Sequence, residues 1–225
     1  MNYDTNIFAG TATRAESTNK VLRNTYQLLS MTLLLSAVMA WVGMQLHVNP
    51  HPIIVLIGAI GLLFGVQKTA DSSAGLILTF LFTGWMGFWL APLLNAVMAR
   101  SGGGQIIMQA LGGTGLIFLS LSGYVLTSKK DFSFMRGFLF VGLMVVVLAS
   151  LGMLIASMFG VYITWMSLAL SAASVLLFSG FILYDTSNII NGGETNYIRA
   201  TIQLYLDILN IFVSLLNILG IMRDE

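Results

Sequence analysis

The sequence predicts an all-α membrane protein with seven transmembrane helices. Hydrophobic residues make up 57% of the 225 residues and charged residues only 8%, whereas about 25% of residues are charged in a typical soluble domain. The chain has 10 basic and 9 acidic side chains, which are too few to cover a water-soluble surface. We therefore expect the chain to lie in a lipid bilayer, its first predicted partner.

Each predicted span is an apolar run bounded by charges or turn residues. A helix needs about 20 such residues to cross the roughly 30 Å of bilayer hydrocarbon. The second run has the shortest uninterrupted core, residues 53–66, so its ends are the most expected to shift. The seven predicted spans are 26–46, 53–69, 76–98, 105–127, 137–159, 163–191 and 199–222.

The distribution of basic residues predicts that the amino terminus lies inside and the carboxyl terminus outside. Lys and Arg are enriched in cytoplasmic connections. Eight basic residues then lie inside, namely Arg14, Lys20, Arg23, Lys68, Lys129, Lys130, Arg136 and Arg199, while only Arg100 and Arg223 lie outside. The predicted organisation is a disordered cytosolic tail at 1–24, a transmembrane domain at 25–222 and a short outer segment at 223–225.

Glycine spacing predicts close contacts between helices. The 23 glycines include the pair Gly61 and Gly65 and the "GGTG" run at 112–115. Small residues let helix backbones approach closely in lipid, where packing replaces the hydrophobic effect. We therefore interpret these glycines as packing positions rather than ligand contacts.

A polar stripe predicts that the seventh helix lies inside the bundle. Steps of three and four residues place its members on one helical face, and such groups are costly against lipid. The stripe is Gln203, Asp207, Asn210, Ser214 and Asn217. The sixth span carries a similar stripe of Ser167, Ser171, Ser174, Asp185 and Asn188. A facing wall is expected from Gln105, Gln109, Gly112, Ser120 and Gly123 of the fourth span.

Two aspartates occupy similar depths on these stripes. Gly192 and Gly193 are expected to end the sixth helix, which places Asp185 about 10 Å and Asp207 about 15 Å from the turn. Two carboxylates in contact cannot both ionise at low cost, so the pair is predicted to share a proton. Its role is then either a proton-sensitive ion path or a hydrogen-bonded structural clasp.

Several function classes find no support in the sequence. No run of basic residues offers a nucleic-acid surface, and the absence of cysteine excludes thiolate chemistry. Paired intramembrane aspartates also occur in aspartyl proteases, but the Gly-x-Gly-Asp and Pro-Ala-Leu motifs of those enzymes are missing. No zinc-protease motif is present. We predict a protein that is not an enzyme and uses no cofactor.

Four stretches resemble the Bax inhibitor-1 family, within the bacterial branch that includes a modulator of the FtsH membrane protease. They are "KVLRNTYQLLS" at 20–30, "QALGGTGLIF" at 109–118, "YVLTSKKDFSF" at 124–134 and the long stretch at 183–220 that begins "LYDTSNIINGG". The resemblance implies six helices around a central seventh and a multi-pass protein of the bacterial inner membrane.

The resemblance implies two functions, which remain open alternatives. Some family members are pH-gated calcium leaks whose proton sensor is an aspartate pair at the positions of Asp185 and Asp207. In those members an arginine of the second helix locks the pair. Thr69 stands there in this sequence beside Lys68, so Lys68 is the possible lock. Calcium binding by two carboxylates and a few amides is expected to be weak, since tight sites use six to eight oxygens.

The second implied function is modulation of the FtsH protease. An ATP-dependent protease must grip a cytosolic segment of its target, and residues 1–24 supply a polar segment of that kind. A chain that is gripped but too stable to extract would occupy the enzyme. The sequence therefore predicts an inhibitor of the protease first and a calcium leak as the alternative.

Overall fold

A computed structural model describes the backbone of residues 3–161 and 163–223, and side chains from Glu16 onward. Within these residues there are seven long helices. They are α1 (Tyr3–Gln45), α2 (Pro52–Thr69), α3 (Ser73–Met98), α4 (Gly103–Ser128), α5 (Arg136–Met158), α6 (Thr164–Ile190) and α7 (Tyr197–Arg223). All seven are long and apolar enough to cross a membrane. The all-α class and the seven predicted spans are confirmed.

The helix ends follow local sequence signals. The span expected to shift most, α2, runs over Pro52–Thr69, and Pro52 suits the first turn because its missing N–H has no partner there anyway. Helix α6 ends at Ile190, and Gly192 after it has a positive φ of 74°. The N–H of Gly193 donates to the carbonyl oxygen of Asn188 at 2.8 Å, which completes the glycine stop that the sequence predicts.

The first helix is longer than the sequence predicts. It begins at Tyr3 and covers 43 residues, although about 20 residues suffice to cross a bilayer. The structure therefore shows helix from Tyr3 onward, within the segment 1–24 that the sequence predicts to be a disordered tail. A helix extends at low cost from a turn that already exists, and residues 3–24 contain a single glycine and no proline to stop it. The cytosolic position of this segment stays a prediction.

Two predicted terminal segments are only partly described. Residues 1–2 of the predicted tail lie outside the described residues. So do residues 224–225, which form most of the predicted outer segment 223–225. Only Arg223 of that segment is described, and it is the last residue of α7.

The seventh helix is the most buried of those described. Half of the residues in its apolar 18-residue stretch are buried, whereas 33% or fewer are buried in the corresponding stretch of each other helix. It packs against α1, α2, α3, α4 and α6. Its burial is in line with the polar stripe, and an arrangement of six helices around it stays a prediction.

Helix α5 is the least integrated of the described helices. Leu139 is its one buried residue, and among the long helices it packs only against α6. Its remaining surface carries large exposed apolar side chains such as Phe138, Val141 and Leu148. Apolar surface of this kind suits contact with lipid tails, and the position of α5 leaves its side toward α7 open.

One end of the bundle, which we call the turn end, carries the connections 70–72, 129–135 and 191–196. The hydroxyl oxygen of Ser187 accepts a hydrogen bond from the N–H of Phe132 at 2.9 Å. The side-chain amide of Asn196 donates to the carbonyl oxygen of Ala70 at 3.0 Å. The first bond joins the connection 129–135 to the last turn of α6, and the second joins the connections 191–196 and 70–72.

Helices α1 and α3 make close backbone contacts at two glycines. A Cβ added at Gly87 would overlap the carbonyl group of Ser36. One added at Gly43 would lie 2.6 Å from the carbonyl oxygen of Phe88. Glycine at these two positions lets the backbones of α1 and α3 touch.

The glycines singled out from sequence have a different environment. Ideal Cβ atoms at Gly61, Gly112 and Gly115 have no neighbour within 4 Å. Those at Gly65 and Gly113 meet only the end of a leucine side chain, at 3.3 Å and 3.2 Å. The packing role predicted for Gly61, Gly112 and Gly115 is therefore wrong, because glycine spacing alone does not reveal which face meets a neighbour.

This difference predicts opposite effects of alanine at two glycines. Gly87→Ala is expected to lower the free energy of unfolding in detergent by about 1–3 kcal/mol, because the new methyl group overpacks the contact with α1. Gly61→Ala meets open space, so it is expected to leave stability unchanged or to raise it by up to about 1 kcal/mol. Equal losses in the two variants would contradict the α1–α3 contact.

Candidate functional site

The two predicted aspartates meet in the structure. Asp185 comes from α6 five residues before its end, and Asp207 from the third turn of α7. Both side chains line one groove, and their carboxyl groups lie close enough to interact. A carboxylate only accepts hydrogen bonds, so a bond between two carboxyl groups needs a proton on one of them. The geometry thus fits a pair that holds one shared proton.

The pair is removed from solvent. Asp185 is 5% exposed and Asp207 is 4% exposed. The Oδ2 atom of Asp207 is buried and has no hydrogen-bond partner among the described residues. An unpartnered buried oxygen is costly for a charged carboxylate, which favours keeping at least part of the pair neutral.

A groove runs beside the pair between α5 and α7. Its volume is about 760 Å³, and it lies where α5 stands away from α7. Most of its lining is apolar, but the two aspartates and two amides also line it. Its lining residues are Arg136, Gly137, Phe140, Leu143 and Val147 of α5, Phe178, Phe181, Tyr184 and Asp185 of α6, and Gln203, Leu206, Asp207 and Asn210 of α7.

The predicted contact between the two polar stripes is present away from the aspartates as well. The side-chain amide of Asn217 donates to the hydroxyl oxygens of Ser167 and Ser171, each at 2.8 Å. These bonds join α6 to α7 near the end opposite the turn end. The two helices are therefore tied by polar groups at two levels.

The other predicted stripe residues lie at different places. Gln203 and Asn210 line the groove, and the amide of Asn210 donates within its own helix to the carbonyl oxygen of Leu206 at 2.8 Å. Ser214 is buried at 8% exposure. Asn188 lies in the last turn of α6, where its backbone oxygen takes part in the helix stop.

The wall expected from α4 is only partly formed by the predicted residues. Helix α4 packs against α6 and α7 with the face of Ile106, Ala110 and Thr114, which are buried. Gln109, Gly112 and Ser120 are exposed, so their predicted position is wrong. Gln105 is also exposed, but its side-chain oxygen accepts a hydrogen bond from Arg223 at the end of α7 at 2.8 Å.

The possible lock, Lys68, does not reach the aspartates in this structure. Its side chain is exposed in the last turn of α2. Within the described part of the chain no hydrogen bond or salt bridge joins it to Asp185 or Asp207. Its predicted role stays a prediction.

Sequence reasoning missed a polar cluster at the turn end. Arg199 forms a salt bridge of 2.9 Å with Asp71, and Asn196 donates to the other oxygen of that carboxylate at 2.7 Å. The cluster ties the start of α7 to the connection between α2 and α3. Both partners of the salt bridge are substantially exposed, so its contribution to stability is small. Asp71 lies 125 or more positions before Asn196 and Arg199, so no local pattern pairs it with them.

The two bonds of Asn217 predict a measurable stabilisation. Asn217→Ala is expected to lower the free energy of unfolding in detergent by about 1–2 kcal/mol, since hydrogen bonds between transmembrane helices have roughly that strength. Asn210→Ala is the matched control, because among the described residues the Asn210 amide donates only within its own helix. A loss of stability in Asn217→Ala that is no larger than the loss in Asn210→Ala would contradict a stabilising role of the Asn217 hydrogen bonds.

Comparison with known proteins identifies the family. Residues 18–224 match the family described as Inhibitor of apoptosis-promoting Bax1. The chain belongs to the Bax inhibitor-1 family. The family predicted from the four sequence stretches is confirmed, and the match extends over all seven apolar helices.

Three bacterial proteins are similar to this chain over nearly its whole length. An uncharacterized membrane protein of Vibrio cholerae is 54% identical over 215 residues, which is 94% of each chain. The modulator of FtsH protease YccA of Escherichia coli K12 is 49% identical over 205 residues, which is 91% of each chain. The inner membrane protein YccA of Escherichia coli O6:H1 has the same identity and coverage. This Bax inhibitor-1 chain is thus a close homologue of an inner membrane protein.

Proposed function

We propose that this chain restrains an FtsH-type protease in the bacterial inner membrane. The observation that carries the proposal is the 49% identity, over 91% of both chains, to the modulator of FtsH protease. The similarity covers 205 residues and is not confined to a short motif. The protein acts as a binding partner and not as an enzyme.

The proposed topology presents the amino-terminal segment to the protease. Six helices surround α7, with the amino terminus and the turn end on the cytoplasmic side. This orientation is supported by the basic residues, eight of which belong to inner segments. The 43-residue α1 exceeds the length of a span, so its first part continues out of the membrane toward a cytosolic partner.

Resistance of the bundle to extraction explains how engagement becomes inhibition. Helix α1 packs closely on α3 through Gly43 and Gly87, and it also contacts α6 and α7. Pulling α1 out of the membrane would break these contacts together. The protease would therefore hold the segment without completing degradation.

The test is a degradation assay in proteoliposomes. An FtsH-type protease, ATP and a membrane-protein substrate are combined with and without this chain, and substrate loss is followed over time. The native chain is expected to slow degradation while itself remaining intact. Unchanged substrate degradation, or rapid degradation of this chain, would overturn the proposal.

A second proposed function is a pH-sensitive path for calcium or another cation. It is supported by the buried contact between Asp185 and Asp207 beside an open groove. Gain or loss of the shared proton changes the charge in the lining of that groove. Weak binding suffices for such a path, because an ion must leave as readily as it enters.

A further inference from the structure

The length of the groove between α5 and α7 is close to the thickness of one bilayer leaflet. It is lined from Arg136 in the first turn of α5 to Val147, eleven residues later. At 1.5 Å per residue this distance is about 16 Å, close to half of the roughly 30 Å hydrocarbon thickness. The groove therefore extends from the membrane surface at the turn end to about the middle of the bilayer.

Most of the exposed surface of the groove is apolar. Phe140, Leu143 and Val147 form one wall, and Phe178 and Phe181 form part of the other. The carboxyl groups of the two aspartates are almost fully buried, and the Asn210 amide is satisfied within its helix. An occupant therefore meets mainly hydrocarbon surface.

A positive charge stands at the surface end of the groove. Arg136 is exposed and begins α5. The exposed rings of Phe134 and Phe138 flank it in sequence, at 78% and 74% exposure. Cationic and aromatic side chains of this kind occupy the level of lipid headgroups.

The other basic residues of the preceding connection add to the positive charge. Residues 129–136 contain Lys129, Lys130 and Arg136 but one acid, Asp131. Lys130 donates to the Tyr124 hydroxyl at 2.9 Å, and this hydrogen bond raises the pKa of Lys130. Lys130 therefore stays charged but turns toward α4, which leaves Arg136 as the basic side chain that lines the groove.

We propose that the groove binds one anionic phospholipid, with its phosphate on Arg136 and an acyl chain along α5. Charge complementarity supports this occupant, because basic pockets between transmembrane helices at the cytoplasmic side bind anionic headgroups. The acyl chain fills the space that α5 leaves beside α7. It thereby shields the aspartate pair from lateral access.

The test is lipid binding to the purified full-length chain in nonionic detergent, followed by native mass spectrometry. Phosphatidylglycerol is compared with phosphatidylcholine of the same acyl chains and with glycerol phosphate. The native chain is expected to retain one phosphatidylglycerol about fivefold more tightly than phosphatidylcholine, and Arg136→Gln is expected to abolish that preference. Binding of glycerol phosphate alone with equal affinity would overturn the role of the acyl chain.

Two matched controls separate the groove from the rest of the surface. Arg23→Gln removes an exposed positive charge from α1, away from the groove, and is expected to keep the preference. Leu143→Trp is expected to fill the groove and to weaken the binding of both lipids. Met144→Trp, at the neighbouring position, is expected to weaken the binding of neither. Equal preference in native and Arg136→Gln protein, or equal loss with Arg23→Gln, would overturn the proposal.

Discussion

A variant that lacks residues 1–15 is expected to lose nearly all inhibition of the FtsH-type protease. Residues 3–15 belong to the part of α1 that exceeds the length of a membrane span, and a protease must grip such a segment before it can pull. Without it the stable bundle offers no point of engagement. The measurement is the substrate degradation rate in the proteoliposome assay described above.

The deletion needs evidence that the bundle is intact. The described contacts of α1 with α3 begin beyond the deleted residues, at positions such as Ser36 and Gly43. The thermal midpoint in detergent is therefore expected to remain within a few degrees of the native value. Full inhibition by a folded deletion variant would contradict engagement through the amino-terminal segment.

Asp207→Asn is expected to abolish the pH dependence of any cation flux through the protein. In the native pair the proton shared between the two carboxyl groups leaves as pH rises. An asparagine amide can donate to Asp185 permanently, so the contact persists but no longer depends on a proton. The measurement is calcium flux into proteoliposomes from about pH 6 to about pH 8, where loss of one proton is expected to change the native flux roughly tenfold.

Asp71→Asn is the matched control for this change. Asp71 has a 77% exposed side chain and pairs with Arg199 at the turn end, so its loss is expected to leave the pH dependence intact. Asp207→Asn is also expected to leave protease inhibition intact, whereas the deletion of residues 1–15 is expected to spare the flux. The same pattern of losses in both variants would contradict two separate functions.

Local patterns predict the helices and the stripe of α7 well. Each apolar run is long enough to define its span, and Gly192 and Gly193 end α6 as their backbone preferences require. The polar steps along α7 indicate its buried face because a helix has a fixed period. The depth of Asp185 and Asp207 follows from the same geometry, which is why their contact is foreseeable.

Local patterns do not predict contacts between distant segments of the chain. Gly43 and Gly87 form the close approach of α1 and α3, yet the more regular spacing of Gly61 and Gly65 draws attention to open surface. Arg136 counts as one more inner charge in the sequence, and only the position of α5 places it on the groove. The polarity of residues 1–24 predicts disorder, but the described helix α1 begins at Tyr3. A helix that already exists can propagate through polar residues.

Infrared absorption of protonated carboxyl groups tests the shared proton between α6 and α7 most directly. At neutral pH the native protein is expected to show a protonated carboxyl band, which Asp71→Asn retains and which the double variant Asp185→Asn with Asp207→Asn loses. A native protein without that band at neutral pH, or a band that survives in the double variant, would show that the buried pair holds no shared proton.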